Sequence, residues 1–324
     1  MRTVHAAVAL LSVLPTLVAA QPYAARPIRV IIPFAVGGQL DPLVRLVTPP
    51  VSEAVGQPLV VENRAGGSTI IGMTACGRAA PDGYTLCVTT ADSLSFNPAM
   101  FSNLPYNPET DFAPVINLGF SNGSLVASPK APFNTYKEMV ALSKSKPGSL
   151  NWATWGPGSR PDIFLQWIKR HENIDIVAIA YKGAGGGNPA VLSGEADITY
   201  MGIGLASQHV KAGKLKALVL LTDKPSSYLP GVPLLSEVGS DPDLRPYFAT
   251  FAPAQTPRPI IERLNAEFAK AVRLPKTQEF FRANAWEVVD NTAAQFAEFA
   301  KKDRENAARV MRGIGIKPTE APSN

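Results

Sequence analysis

Short apolar strands alternate with amphipathic helices along most of this chain, and that alternation limits the fold more than any other feature. The segment Pro27–Pro33 is short and largely apolar, with β-branched residues on both faces, which is typical of a strand buried in a parallel sheet. Beyond Pro129 the same pattern predicts further strands at 150–154, 174–180, 196–201 and 215–221. Successive βαβ units predict an α/β fold, with mostly parallel sheets covered by helices on both faces.

Capping residues and prolines mark the helix boundaries. Asp41 is placed to cap a helix after a glycine turn, and Pro49-Pro50 should break or kink that helix midway. Thr256-Pro257 combines an N-cap with proline at the first helical position. Thr292 and Gln295 have the spacing of a capping box, which predicts a final helix.

The first twenty residues, 1–20, predict a secretory signal peptide. Arg2 precedes an uncharged apolar run, and Val18-Ala19-Ala20 supplies the small residues of a cleavage site. The run is about 15 residues long and contains Pro15, whereas a membrane span needs roughly 20 apolar residues. We therefore expect an exported chain whose mature part begins at Gln21.

The cysteines of this sequence are Cys76 and Cys87. Two are too few for a disulfide scaffold or a cysteine-rich zinc site. Export places them in an oxidising compartment, where they either form one bridge or stay as two buried thiols. Both alternatives fit the sequence, and we predict the bridge.

Residues suited to catalysis are scarce. Beyond the signal peptide the histidines are His171 and His209, and no G-x-S-x-G elbow occurs. These histidines match no metal-ligand spacing, so we expect no catalytic residue and no metal. The glycine clusters 156–158 and 183–187 do not fit a dinucleotide or phosphate loop, so we expect no cofactor. A net charge of +5 without a distinct basic run gives no reason to expect nucleic acid binding.

Two loops are suited to holding a small anion. The loop Phe34–Gly38 lies between a predicted strand and a predicted helix, and so does the loop Thr154–Ser159. In open α/β sheets ligands lie at the carboxyl ends of strands, where free N–H groups and helix N-termini favour a carboxylate. Each loop fits either simple turn formation or ligand contact. Ser159 is placed to cap its own helix, to share its hydroxyl with a ligand, or to do both.

Ten segments, taken together, resemble the periplasmic substrate-binding receptors of tripartite tricarboxylate transporters, the Bug receptors. They follow the order and spacing of that family over nearly all of the mature chain. They are RPIRVIIPFAVGGQLD (26–41), VVENRAGGSTIIG (60–72), APDGYTL (80–86), LPYNPETDFAPV (104–115), SKPGSLNWATWGPGS (145–159), AYKGAG (180–185), LSGEADI (192–198), VKAGKLKAL (210–218), LPGVPLLSEVG (229–239) and FAPAQTP (251–257).

The resemblance implies a two-lobed, Venus-flytrap α/β fold, similar to type II periplasmic binding proteins. Lobe 1 would comprise residues 21–125 plus 247–324, and lobe 2 residues 126–246, with crossings near Leu125-Val126 and 248–253. It also implies a periplasmic monomer that binds a small organic acid, a mono- or dicarboxylate, and hands it to membrane transporter subunits.

The resemblance further implies which residues bind the ligand. Carried over by position, they are Phe34, Ala35, Gly37, Gly38 and Asp41 in the first loop, Thr154, Gly158 and Ser159 in the second, and Tyr181 and Asp197 at neighbouring strand ends. Asp41 fits a helix cap better than an anion contact, because two negative charges would repel. Asp197 fits either a hydrogen-bond acceptor in the site or an acid that fixes the local loop.

Several residues depart from the family pattern. Asp162 stands where a histidine is frequent, and Val36, Gln39 and Leu40 make the first loop more apolar than usual. Arg160 would either clamp a second anionic group in bidentate fashion or stay solvated on its helix. These departures affect the identity of the ligand more than the fold.

We therefore interpret the chain as a periplasmic solute-binding receptor without enzymatic activity. One alternative is a sensory binding protein that presents its closed, ligand-bound form to a membrane sensor kinase. The other is an enzyme that acts on a carboxylic acid, for which Asp197 and Ser159 would be the residues to test.

Overall fold

The computed structural model describes residues 23–37 and 40–322. The predicted signal peptide therefore lies outside the described residues, and so does Gly38. The strands are β1 (Ile28–Ile32), β2 (Leu59–Asn63), β3 (Thr85–Thr90), β4 (Phe112–Phe120), β5 (Gly123–Ala127), β6 (Asn151–Thr154), β7 (Val177–Ala180), β8 (Ile198–Gly202), β9 (Lys216–Leu221), β10 (Tyr247–Pro253) and β11 (Glu287–Val288).

Helices connect most of these strands. They are α1 (Leu40–Val55), α2 (Ile70–Gly77), α3 (Asn97–Met100), α4 (Tyr136–Ser145), α5 (Arg160–Glu172), α6 (Ala184–Ser193), α7 (Ile203–Lys211), α8 (Leu235–Val238), α9 (Arg258–Arg273), α10 (Pro275–Ala283) and α11 (Ala293–Gly313). None of the helices in the described part of the chain is both long and apolar enough to cross a bilayer.

The strands form two sheets. The first has the order β11-β4-β10-β3-β1-β2, and the second has the order β7-β6-β8-β5-β9. Pairing is parallel among β1, β2 and β3 and among β6, β7 and β8. It is antiparallel where β10 enters the first sheet and where β5 enters the second. The α/β class is confirmed, but the sheets are mixed and the expectation of mostly parallel pairing is wrong for the strands next to the crossings.

Each sheet is covered by helices on both faces, as the sequence predicts. In the first sheet, α1 and α9 bury residues such as Leu43 and Phe268 on one face, and α2 buries Met73 on the other. In the second sheet, α5 buries Ile163 on one face and α6 buries Val191 on the other. This two-sided burial explains why inner strands such as β3 and β8 carry apolar residues on both faces.

Helix α11 packs against both sheets. Its capping box is confirmed, because the N–H of Gln295 donates to Thr292 Oγ1 and the N–H of Thr292 donates to Gln295 Oε1. Phe296, near its start, belongs to a core of the first sheet. Val310 and Met311, near its end, belong to a core of the second. The helix therefore ties the two halves of the chain together.

Two sequence expectations about helices need correction. Helix α1 is not broken at Pro49-Pro50 but runs continuously to Val55, and the Ser52 hydroxyl donates to the Thr48 carbonyl at 2.9 Å beside the prolines. The N-cap of α9 is Pro257 rather than Thr256, whose hydroxyl donates to Pro253 O instead.

Two short crossings connect the sheets and lie side by side. Ser121-Asn122 joins β4 to β5, so the chain enters the second sheet slightly before Leu125-Val126, where the sequence placed the crossing. The return crossing precedes β10 and therefore lies before 248–253, where the sequence placed it, because Tyr247–Pro253 pairs with β3 and β4 within the first sheet. The N–H of Ser121 donates to Pro246 O at 2.8 Å, and Arg245 donates to Asn122 Oδ1 at 3.2 Å.

The predicted bridge between Cys76 and Cys87 is present and links α2 to β3. Both cysteines are fully buried, and their positions are 11 residues apart in the sequence. The bridge therefore fixes α2, which follows β2, against the middle of the first sheet.

We predict that removing this bridge destabilises the protein without changing the fold. A closed loop of this length contributes about 3 kcal/mol through the restricted unfolded chain. Urea unfolding of Cys76→Ser/Cys87→Ser, compared with the oxidised wild type, should show a loss of that size. Thiol labelling of the denatured, unreduced wild type should find no free thiol, and two free thiols would contradict the bridge.

Candidate functional site

The loops at the carboxyl ends of the parallel strands of one sheet face the corresponding loops of the other sheet. The space between these two sets of loops is called the gap. β1, β2 and β3 share an edge of the first sheet because they run parallel, and β4 ends at the same edge. β6, β7 and β8 share an edge of the second sheet, and β5 begins there because Gly123 pairs with Gly202. The short crossing Ser121-Asn122 therefore brings the two edges together.

The first predicted loop is held in place from beneath by Asp41. The buried Asp41 carboxylate accepts hydrogen bonds from the Gly37 N–H at 3.2 Å, from Arg45 Nε at 3.1 Å and from Asn63 Nδ2 at 3.0 Å. The Asn63 amide also donates to Phe34 O at 3.1 Å. Arg45 and Asn63 are residues that sequence reasoning missed.

These bonds decide the role of Asp41. Burial by itself would raise the pKa of Asp41, but the hydrogen bonds from Arg45, Asn63 and the Gly37 N–H outweigh burial and hold the pKa below its ordinary value of 3.8. Its oxygens are directed to protein donors, so Asp41 anchors the loop rather than facing a ligand. Ala35 and Gly37 remain exposed at the edge, and Phe34 is half-buried.

The second predicted loop is folded by its own side chains. The Ser159 hydroxyl donates to Gly156 O at 2.6 Å and accepts from the Trp155 N–H at 3.2 Å. Ser159 occupies the N-cap position of α5, yet its side chain caps nothing. The expectation that this hydroxyl caps the helix is therefore wrong, and it serves to close the turn.

Asp162 supports the same loop from within α5. Its Oδ2 accepts from the Gly158 N–H at 2.8 Å, and its Oδ1 accepts from Gln166 Nε2 at 3.1 Å. Thr154 is buried beneath the turn, where its Oγ1 accepts from the Gly156 N–H at 3.4 Å. Asp162 thus positions the loop and does not face the gap as an open carboxylate.

The backbone of Tyr181 lies at the gap, but its hydroxyl is directed elsewhere. Its N–H donates to Thr154 O at 2.9 Å, which places the residue beside the second loop. Its hydroxyl instead donates to Glu195 Oε1 at 2.8 Å, in the loop that leads to the start of β8. Burial, together with the Glu195 carboxylate, raises the pKa of Tyr181, which therefore stays neutral at physiological pH.

Asp197 lies at the opposite edge of the second sheet. It precedes β8, whose start pairs in parallel with the start of β6. Its Oδ2 accepts from the Asn151 N–H at 2.8 Å, and its backbone N–H donates to Asn151 O at 2.9 Å. The structure does not bring Asp197 to the gap, and the reading in which it fixes the local loop fits this geometry.

A third loop lies at the gap and was not predicted from the sequence. Gly66, Gly67, Ser68 and Thr69, between β2 and α2, all have positive φ. Such a conformation is strained for serine and threonine, and strain of this kind clusters at functional sites. Asn97 Nδ2 holds the turn by donating to Ser68 O at 2.7 Å. The adjacent glycines at a strand-to-helix junction were the signal that could have identified it.

Arg160 joins the two sheets across the gap. Its Nη2 donates to Asp92 Oδ1 at 2.7 Å, and its Nη1 donates to Leu244 O at 3.3 Å. The guanidinium lies 4.9 Å from the centre of the Phe96 ring. Only 8% of its side chain is exposed, so Arg160 is neither a solvated helix residue nor a free clamp for a ligand.

A separate surface cavity of about 1100 Å³ lies between α11 and the segment from Ser95 to Asp111. None of the predicted ligand residues that the structure describes lines it. Within the described ranges, no group of three or more His, Cys, Asp or Glu side chains is arranged to hold a metal ion.

Two α/β sheets that are joined by short crossings and present facing loops define a two-lobed solute-binding protein. The family model of the tripartite tricarboxylate transporter family receptor matches residues 43–316. The chain belongs to that receptor family.

Known relatives agree with this assignment over nearly the whole chain. Protein BugT of Bordetella pertussis is 32% identical over 304 residues, covering 93% of each chain. The periplasmic binding protein BugD superimposes with a TM-score of 0.76 at 26% identity, covering 92% of this chain and 100% of BugD. MatC from Rhodopseudomonas palustris, solved with bound malate, superimposes with a TM-score of 0.74 at 27% identity, covering 89% and 99%.

We predict that Asp41→Asn lowers the free energy of unfolding by about 2 kcal/mol at pH 7, because charged hydrogen bonds of the first loop are lost. The folded pKa is depressed, so the stabilisation is complete above the unfolded pKa and disappears as pH falls through the folded pKa. Urea unfolding between pH 7 and pH 3 should therefore show that the difference in unfolding free energy between variant and wild type shrinks below about pH 4. A difference that stays constant with pH would contradict this role.

Proposed function

We propose that this protein is a periplasmic receptor that captures a small mono- or dicarboxylate between two lobes. It delivers this ligand to the membrane subunits of a tripartite tricarboxylate-type transporter. The observation that supports this best is the meeting of the two carboxyl-terminal sheet edges at one gap, with the exposed loop residues 35–37 on the first edge. Export through residues 1–20 is part of the same proposal.

The lobes in this proposal follow the two sheets. Lobe 1 comprises the chain from residue 21 to the first crossing together with residues 247–324, and lobe 2 comprises the stretch between the crossings. The first crossing is placed at Ser121-Asn122, because β5 begins at Gly123. The two crossings contact each other directly, which makes them a compact pivot for opening and closing.

A carboxylate suits the gap because helices begin on both sides of it. α1 and α2 start at the first edge, and α5 and α6 start at the second. Helix N-termini present unpaired N–H groups and a partial positive charge, both of which favour an anion. Lys182, exposed between β7 and α6, adds a full positive charge. The malate bound by MatC is consistent with this class of ligand.

The ligand acts by shifting an equilibrium between open and closed forms. An acid that is held by both edges interacts more strongly with the closed form, so binding populates that form. The membrane subunits would then recognise the closed receptor. The described side chains at the gap are occupied mainly in shaping loops, as Asp41, Ser159 and Asp162 illustrate. This fits capture without turnover.

A thermal-shift screen tests the proposal. The purified protein is unfolded and refolded with its disulfide intact to remove any bound ligand, and is then screened against mono-, di- and tricarboxylates, amino acids and neutral sugars. A ligand at 100 times its Kd adds about 2.7 kcal/mol, which raises the melting temperature by about 4 °C for a chain of this size. We expect such a shift with one subset of acids, and the bound acid should be recovered unchanged.

Gly37 and Gly213 provide a matched pair for this screen. Their φ values are +77° and +69°, and a Cβ at either would meet no atom of the described residues within 4 Å. Valine therefore strains both backbones alike, but only Gly37 lies at the gap, whereas Gly213 precedes β9 at the far edge. Gly37→Val should weaken acid binding at least tenfold in calorimetry, and Gly213→Val should not. Equal affinities, or a shift with sugars only, would contradict the proposal.

A further inference from the structure

We propose that Asp92 selects ligands that carry a hydrogen-bond donor, a hydroxyl or an ammonium group, beside their carboxylate. The ligand class would then be hydroxy acids or amino acids rather than unsubstituted carboxylic acids. This inference rests on the proposed function and adds the chemistry that distinguishes one acid from another.

Asp92 lies at the floor of the gap. It follows the carboxyl end of β3 and begins a π-helical turn, Asp92–Phe96, a form that is frequent at functional sites. The next residue, Ser93, donates its hydroxyl to Thr69 Oγ1 at 2.8 Å, so Asp92 adjoins the support of the strained turn at Gly66–Thr69. Its partner Arg160 begins α5, a helix that covers the second sheet, so the carboxylate lies between the two halves of the chain.

The Asp92 carboxylate can accept more hydrogen bonds than the described residues donate to it. Its Oδ1 accepts from Arg160 Nη2 at 2.7 Å, and its Oδ2 accepts from Thr90 Oγ1 at 3.3 Å. A carboxylate has about four acceptor positions, so these bonds leave further ones open. The Asp92 side chain is 46% exposed, in contrast to its partner, and its open face is therefore available to a ligand in the gap.

Arg160 balances the charge of Asp92 without competing for the ligand. Its guanidinium is held at once by Asp92, by Leu244 O and against the Phe96 ring, and it is buried. Turning toward a ligand would break these contacts. The pair is therefore neutral overall, which reduces the repulsion of an anionic ligand, while Asp92 remains an acceptor only.

An acceptor at this position discriminates between closely related acids. A hydroxyl or ammonium group on the ligand donates to Asp92, whereas an unsubstituted acid offers only carboxylate oxygens and leaves Asp92 without that bond. A hydrogen bond to a charged group is worth enough to change affinity by at least about tenfold. The expected signature is therefore an affinity ratio within pairs of acids that differ by a single donor.

Calorimetry on the refolded full chain measures this ratio. The pairs are malate with succinate, 2-hydroxyglutarate with glutarate, lactate with propionate, and mandelate with phenylacetate, and aspartate and glutamate provide the ammonium group. In every pair that binds, we expect the donor-bearing acid to bind at least about tenfold more tightly. A wild-type ratio near one would overturn the inference without any variant.

The double variant Asp92→Leu/Arg160→Met removes acceptor and counter-charge together. Replacing both members of an ion pair by apolar residues of similar size commonly preserves the fold, whereas removing one leaves a buried charge. We expect the ratio to fall to about one, chiefly through weaker binding of the donor-bearing acid. The control, Asp290→Leu/Arg273→Met, removes an exposed ion pair and should keep the wild-type ratio.

The outcomes separate this inference from the proposed function. If unsubstituted acids bind as tightly as their hydroxy or amino counterparts, or if the double variant keeps the full ratio, Asp92 does not select the ligand but the receptor function stands. If no acid binds to the refolded protein, the proposed function fails and this inference fails with it.

Discussion

Two short crossings hold the carboxyl-terminal edges of the two sheets against each other, and the rest of the structure depends on that constraint. β4 ends and β5 begins at these edges with only Ser121 and Asn122 between them. The return crossing is bonded to the first one through Ser121–Pro246 and Arg245–Asn122. Loops that are far apart in the sequence therefore face one gap, where the proposed ligand would contact both halves of the chain.

The elements of the fold could be predicted from periodicity and caps, because each depends on nearby residues. The apolar strand at Pro27–Pro33 and the Thr292–Gln295 capping box are local patterns of this kind. Strand direction next to the crossings was not predictable in the same way. The direction of β5 and β10 depends on which strands they pair with, and long-range packing determines that pairing. Similarly, Pro49-Pro50 lies within an unbroken helix, since the burial of Val47 and Val51 against the first sheet favours the helix.

The candidate loops could be located from the sequence, but the roles of their side chains could not. Asp41 and Ser159 lie beside the predicted loops, but neither side chain caps a helix as expected. Asp41 lies within the first turn of α1 and accepts from Gly37, Arg45 and Asn63, and the Ser159 hydroxyl closes its own turn. Asp197 lies at the other end of its strand, because the acid precedes β8 rather than following it. The ion pair between Arg160 and Asp92 joins residues 68 positions apart, which no spacing rule connects. The loop positions are thus local properties, whereas the chemistry of the site arises from tertiary contacts.

A crystal structure of the protein with a bound acid would show whether both sheets hold the ligand. We expect electron density for one acid molecule between the first edge, at residues 34–37 and 66–69, and the second edge, at residues 154–158 and 181–183. Contacts should come from both sheets. An acid bound to one sheet alone, or in the cavity between α11 and the segment from Ser95 to Asp111, would contradict this expectation.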